Sequence, residues 1–221
     1  MRYYPIHLDV RGRRCLVVGG GAVGTRKAET LAACGAEVVV VSPEATAELS
    51  AWAEAGRILW QRRAYAACDL EGVFLAVGAT DDEGLNRRLS ADARRRGVLC
   101  NIADRPELCD FILPALVQRG DLVITVSTSG KSPALAKRLR RELEQRYGEE
   151  YALLLRLMGA VRRRLLAERH APEEHRALFE ALLESGLLER LRGGDLSGAD
   201  RVLEALVGRG WTVEALLAET G

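Results

Sequence analysis

The stretch CNIADRPELCDFILPA, Cys100 to Ala115, sets two cysteines and the carboxylates Asp104, Glu107 and Asp110 between two apolar runs, with Arg105 beside the first acid. Such a set could bind a metal, form a redox pair, supply a base, or lie as a solvated loop. A metal cage is a poor fit, because Cys100 and Cys109 have no second pair and no histidine nearby; His7, His170 and His175 are scattered along the chain. The five cysteines contain no CxxC and are odd in number. Cys15 and Cys34 flank apolar runs and read as small, reduced, mostly buried side chains. A base and a loop remain open at this point. Glu107 and Asp110 read as solvated loop and turn residues.

The second chemical stretch is GGGAVG, in which Gly19, Gly21 and Gly24 fit G-x-G-x-x-G around Ala22 and Val23. The three glycines have different tasks: a tight turn, close backbone approach to a pyrophosphate, and tight helix–strand packing. The motif follows an apolar run, RCLVV, and opens a helical pattern, so it points to a dinucleotide at a helix N-terminus. The next strand ends Val41-Ser42-Pro43-Glu44, which makes Ser42 and Glu44, around Pro43, the candidates for the ribose hydroxyls. With no Arg or Lys in that stretch to favour a 2′-phosphate, the expected cofactor is NAD. Ala79 and Thr80, at the end of the fourth strand, are expected beside the same crevice.

The third stretch, STSGKSP, contains the GK[ST] end of a P-loop, but position 125 is Thr where that motif needs Gly. An ATPase is therefore excluded. Ser127, Thr128, Ser129 and Lys131 still precede a helix N-terminus, a geometry suited to carboxylates. The helix that follows carries Lys137, Arg138, Arg140, Arg141 and Arg146, with Glu142 and Glu144 among them. It reads either as a solvated face or as a surface for a polyanionic small molecule.

These residues must be positioned by the elements around them. Strand-like apolar runs alternate with helical patterns through about residue 112, which argues a Rossmann-like, doubly wound parallel α/β sheet. After Pro43 a helix is expected to run to about Ala55. DFILPALVQRGDLVITVST breaks the alternation with two strands joined by a Gly-Asp turn, and SPALAKRLRRELEQRYG is a helix capped by Ser132 with Pro133 at its first position. From about Gly148 the chain is amphipathic helix, with Leu154, Leu157, Val161 and Leu165 on one face and breaks at HAPEE, RGGDLSG and GRGW. The expected organisation is a dinucleotide-binding domain at 1–112, a small α+β segment at 113–147 and a helical domain at 148–221. Of the 221 residues 29% are charged, yet the net charge is +1, which argues against nucleic acid; Arg94–Arg96 and Arg162–Arg164 read as solvated helix faces. No run approaches the about 18 apolar residues of a membrane span, and the N-terminus lacks a signal-like apolar stretch, so a cytoplasmic protein is expected.

Together LVVGGGAVGTRKAETLAACGAEVVVVSPE, AVGATDDEGLNRRL, CNIADRPELCDFILPA and VSTSGKSPALAKRLRREL resemble the precorrin-2 dehydrogenase/sirohydrochlorin ferrochelatase family, which also forms the N-terminal half of multifunctional sirohaem synthases. The resemblance runs from about Ile6 to Glu144; with no methyltransferase domain following, it is to the stand-alone form. It implies NAD-dependent oxidation of precorrin-2 to sirohydrochlorin, with Fe²⁺ insertion as a second activity in some members. It also implies a homodimer in which the segment at about 113–147 exchanges contacts between subunits. Asp104 falls where the family places its key acid, as acceptor of the proton lost when the macrocycle is oxidised. Asn101 would position nicotinamide or substrate. The eight-carboxylate tetrapyrrole would give Ser127, Thr128, Ser129, Lys131 and the basic helix their purpose. Any iron would be substrate, not a fixed site. The rival of another class is a non-catalytic NAD-binding sensor, which would need no carboxylate at position 104.

Overall fold

The computed structural model describes residues 3–167 and 172–219. The chain divides into two compact units at Leu113/Pro114. In the first, five parallel strands, β1 (Arg14–Gly20), β2 (Glu37–Ala45), β3 (Leu59–Gln61), β4 (Leu75–Gly78) and β5 (Leu99–Ile102), lie in the order β3-β2-β1-β4-β5. The helices α1 (Ala22–Ala33), α2 (Ala47–Glu54) and α3 (Glu83–Arg96) cover it. Because both faces are covered, β1 is apolar and buried from Cys15 to Val18. Leu16 and Val18 pack on one side with Leu89 and Ala93 of α3, while Cys15 and Val17 pack on the other with Ala28 of α1 and Leu49 of α2. The doubly wound α/β sheet expected from the sequence is present.

One boundary differs from expectation. Instead of turning into helix after Pro43, β2 continues to Ala45. Its register with β1 slips between Val18 and Gly20, where Gly20 pairs with Ala45, and α2 starts only after Thr46, whose hydroxyl accepts the Leu49 amide at 3.2 Å. Proline was taken as a stop, but at the open end of a strand its missing N–H leaves no ladder bond unmade. Cys34 is a second correction. It caps α1 in an exposed position, whereas Cys15 is fully buried in β1.

In the second unit β6 (Ala115–Arg119) and β7 (Leu122–Val126) form an antiparallel hairpin about Gly120 and Asp121. Then come α4 (Pro133–Arg146), α5 (Glu150–Ala167), α6 (Pro172–Glu184), α7 (Leu187–Arg192), α8 (Leu196–Val207) and α9 (Val213–Ala218). Ser132 caps α4 through the Leu135 amide at 3.2 Å, with Pro133 at its first position. The expected apolar face of α5, Leu154, Leu157, Val161 and Leu165, is buried against Leu182, Leu203, Trp211 and Leu216. The expected breaks at RGGDLSG and GRGW fall between helices. The HAPEE break lies partly outside the described residues.

The first crossover depends on glycines. A Cβ at Gly24 would lie 1.9 Å from the Gly19 carbonyl oxygen, and one at Gly19, whose φ is +114°, would lie 2.3 Å from the Ala79 carbonyl oxygen. Gly24→Ala therefore forces β1, α1 and the end of β4 apart. Its expected cost is about 3 kcal/mol or more, read as a fall in the urea midpoint of unfolding.

Candidate active site

Counting outward from β1, the chain turns one way to β2 and β3 and the other way to β4 and β5. At this switch point the carboxyl ends of β1 and β4 diverge and leave a crevice. Val23, Thr80, Asn86, Ala103, Asp104 and Arg105 are among the residues that border a cavity of about 340 Å³ there. That volume is within the range of small-molecule and cofactor sites.

The glycine turn enters this crevice with its amides free. Gly21 caps α1 with an extended backbone and no side-chain cap, and no acid sits in the first turn. The Thr25 amide is the first to bond back, to the Gly21 carbonyl at 2.9 Å. The amides of Ala22, Val23 and Gly24 are the unpaired donors that every helix start presents, here without a competing carboxylate. A Cβ built on Gly21 meets nothing within 4 Å, so space for a ligand lies above the turn at that position. The turn, its donors and the cavity fit a dinucleotide pyrophosphate. Gly20, passed over in reading the motif, is also constrained, since its Cβ would meet the Glu44 carbonyl oxygen at 2.2 Å. The signal was the third consecutive glycine, which G-x-G-x-x-G does not require.

At the end of β2, Ser42 is half-buried and Glu44 and Pro43 are exposed. The Trp60 indole N–H donates to the Ser42 carbonyl at 3.0 Å, and the Arg62 guanidinium stacks on that indole at 4.2 Å. Reading β2 alone found no cation here; the neighbouring strand supplies one. Ala79 and Thr80 follow β4, where the Ala79 amide continues the ladder to the Val18 carbonyl at 2.8 Å. Asn86, missed in the sequence, fixes this turn. It is buried on α3, donates from Nδ2 to the Thr80 carbonyl at 2.8 Å, and keeps Oδ1 buried with no donor. An asparagine in the second turn of a helix is a poor helix former, and that was the available signal.

The Cys100–Ala115 stretch resolves into a clasp and an acid. Asp110 accepts the Cys100 amide at 2.9 Å and returns its own amide to the Cys100 carbonyl at 2.8 Å. The Cys109 sulfur accepts the Ile102 amide at 3.1 Å and lies 3.1 Å from the Arg105 carbonyl, to which it donates. The buried Asn101 donates to the Phe111 carbonyl at 2.9 Å. Asp110, exposed as expected of a turn residue, is also a structural acceptor, and Asn101 belongs to the clasp and not to the cavity lining. Inside this loop Asp104 is exposed, borders the cavity and has a φ of +59°. Left-handed backbone carries a cost for any residue but Gly, smaller for Asn and Asp, and non-glycine residues held there gather at functional sites. Lys27, one turn along α1 from Val23, was also missed. Burial lowers its ammonium from the ordinary lysine range, with a contribution from Arg26, and the Asp104 carboxylate opposes that shift.

In the second unit the Thr128 hydroxyl donates to the Ser132 carbonyl at 3.1 Å and accepts the Ser132 amide at 3.2 Å, the Ser127 hydroxyl accepts the Ser129 amide at 3.2 Å, and Ser129 has a φ of +53°. Asp104 and Ser129 are the non-glycine residues with positive φ among those described. On α4, Arg138 pairs with Glu142 at 2.8 Å and Arg140 pairs with Glu144. Lys131, Lys137 and Arg141 stand exposed beside them.

Residues 6–115 match a family described as putative NAD(P)-binding, and residues 119–146 match the sirohaem biosynthesis protein central family. A sirohaem synthase of Nitrosococcus oceani is 37% identical over 214 residues, 97% of this chain and 46% of the relative. One of Azotobacter vinelandii is 40% identical over 208 residues, 93% and 44% respectively. Over most of its own length the chain is thus similar to sirohaem synthases. It spans about half the length of the curated relatives it matches. Among solved structures, SirC, a precorrin-2 dehydrogenase, superposes with a TM-score of 0.73 at 29% identity, covering 92% of this chain and 98% of that one. The match to the putative NAD(P)-binding family covers the whole of the glycine turn, the ends of β2 and β4, and Asp104.

Two outcomes follow from the clasp. Asp104→Gly removes the left-handed strain and should melt no lower than the native chain, whereas Asp110→Ala strips the Cys100 amide of its acceptor and should cost about 1–2 kcal/mol, both read by thermal unfolding. Burial pushes the Cys15 thiol up to about 11 and the Cys100 thiol up to about 12, and raises Cys109 as well. Only thiolates alkylate readily, so iodoacetamide at pH 8 should label the exposed Cys34 and Cys68 fast and spare the other three until the chain unfolds.

Proposed function

We propose that this protein oxidises precorrin-2 to sirohydrochlorin with NAD. The observation that carries this reading is that Asp104, in its left-handed turn, opens onto the same cavity as the α1 N-terminal turn. Bound NAD accepts the hydride in such a reaction. The chain's own part is to hold the pyrophosphate on the amides of Ala22, Val23 and Gly24, and the ribose at Ser42 and Glu44. Ala79 and Thr80 border the middle of the cofactor, and Asp104 takes the proton that leaves the macrocycle.

The substrate's carboxylates are the reason for Lys131 and the exposed cations of α4, with the Ser127–Ser129 turn offering amides at the helix start. The clasp bonds of Asn101 favour a positioning role, holding the loop from which Asp104 projects. We also assign a homodimer formed through residues 113–147: α4 buries none of its residues, and Leu116, Leu135 and Leu139 are exposed. No helix among the described residues is long and apolar enough to cross a membrane, and a cytoplasmic enzyme acting on a small molecule is the reading.

An anaerobic assay with enzymatically generated precorrin-2 and NAD tests the proposal, with absorbance following sirohydrochlorin. Wild type should form product; Asp104→Ala should bind NAD equally and turn over at least about 100-fold more slowly, the range for a lost general base. Adding Fe²⁺ in a second stage reads the ferrochelatase activity. Wild type that binds NAD and converts nothing would sink the dehydrogenase and favour the sensor.

A further inference from the structure

Glu83 and Arg105 both border the cavity, and their side chains form an ion pair. Glu83 is the first residue of α3 and Arg105 follows Asp104, so the pair ties the β4–α3 turn to the loop after β5 at the rim of the crevice. The side chains are 45% exposed for Arg105 and 57% for Glu83. A pair so wetted contributes little, with a central tendency of zero to one kcal/mol and further loss in salt.

The fold does not need this bridge. Helix α3 is already capped by Asp82, which accepts the Leu85 amide at 2.9 Å. The loop after β5 is already closed by the Asp110 and Cys109 bonds and by Ser90, whose hydroxyl donates to the Leu108 carbonyl at 2.9 Å. What the pair does is hold a guanidinium at the cavity rim, next to Asp104 with its left-handed backbone.

We infer that Arg105 is the residue that seats the substrate against Asp104, exchanging Glu83 for a carboxylate of the incoming molecule. This rests on the polycarboxylate reading above and adds the contact that orients it. The exchange is balanced: one carboxylate leaves the guanidinium for water and another takes its place, so the contact contributes ground-state binding of the substrate at the rim. A guanidinium suits this better than the cation nearby in the same unit, because its planar fork grips both oxygens of a carboxylate. Lys27 is half-buried and its charge is already set against Asp104. Glu83 is then a placeholder: it keeps Arg105 over the rim while the site is empty and competes with substrate when it arrives.

Steady-state kinetics of Arg105→Gln, Arg105→Lys and Glu83→Gln test this, each checked first for native thermal unfolding. Arg105→Gln should raise the tetrapyrrole KM about tenfold with kcat changed less than about twofold and NAD affinity unaltered, the signature of lost ground-state binding. Arg105→Lys should fall between, because an ammonium lacks the fork. Glu83→Gln should lower KM by about two- to threefold, since it removes the competitor. A native KM in Arg105→Gln, a fall confined to its kcat, or a raised KM in Glu83→Gln would each overturn the assignment. Fluorescence titration with sirohydrochlorin, which needs no turnover, separates this from the parent reading. Wild type that binds but does not convert sinks the dehydrogenase alone, whereas equal binding by wild type and Arg105→Gln sinks the role of Arg105.

Discussion

The first unit depends on one close approach, the backbone of α1 at Gly24 against the carbonyl of Gly19 at the end of β1. Helix and strand can meet so tightly only where neither side chain nor solvent intervenes, and that contact brings the end of β4 against Gly19 as well. From it follow the position of the unpaired α1 amides and their place beside the crevice between β1 and β4. The hydroxyls of Thr25 and Thr46, 2.8 Å apart, then tie α1 to the start of α2, so the wall on the β2 side is fixed by the same crossover.

The loop after β5 solves a different problem. An acid meant to receive a proton must be accessible, while the chain that carries it must not drift. Here those demands fall on different residues. Asp110 and Cys109 accept backbone amides of β5 and Asn101 donates to the Phe111 carbonyl, while Asp104, with its left-handed φ, borders the cavity. Two exposed aspartates six positions apart in one loop thus divide the work, one fastening the chain to β5 and the other bordering the cavity.

Much of this was legible in the sequence. The alternation of apolar runs and helical patterns specified the sheet because each strand is covered on both faces, and the glycine spacing located the phosphate turn because steric exclusion leaves no other residue type at Gly19 and Gly24. The cap of α4 and the buried stripe of α5 were equally plain, being local or periodic. What could not be read was whatever depends on neighbours distant in the chain. Proline 43 misled about the end of β2 because only pairing with Gly20 reveals that the strand continues. Arg62 was invisible at the β2 terminus because strand order, not sequence proximity, puts it there. Asp110 and Asp104 look alike in a string of letters, and only backbone geometry separates clasp from reagent. Cys34 resembled a core residue because it closes an apolar helix, yet the helix ends just where the chain turns to solvent.

The open space above Gly21 gives the motif a divided meaning. Gly19, Gly20 and Gly24 are held by the polypeptide itself, so drift at those positions would be purged whether or not a ligand ever bound. Gly21 has an ordinary φ of −74° and no neighbour to offend. Nothing in the folded chain preserves it; only the molecule that comes to rest there can. In a descendant that lost its cofactor, three of these four glycines would persist as a fossil of the architecture, and the identity at position 21 would record whether the site is still in use.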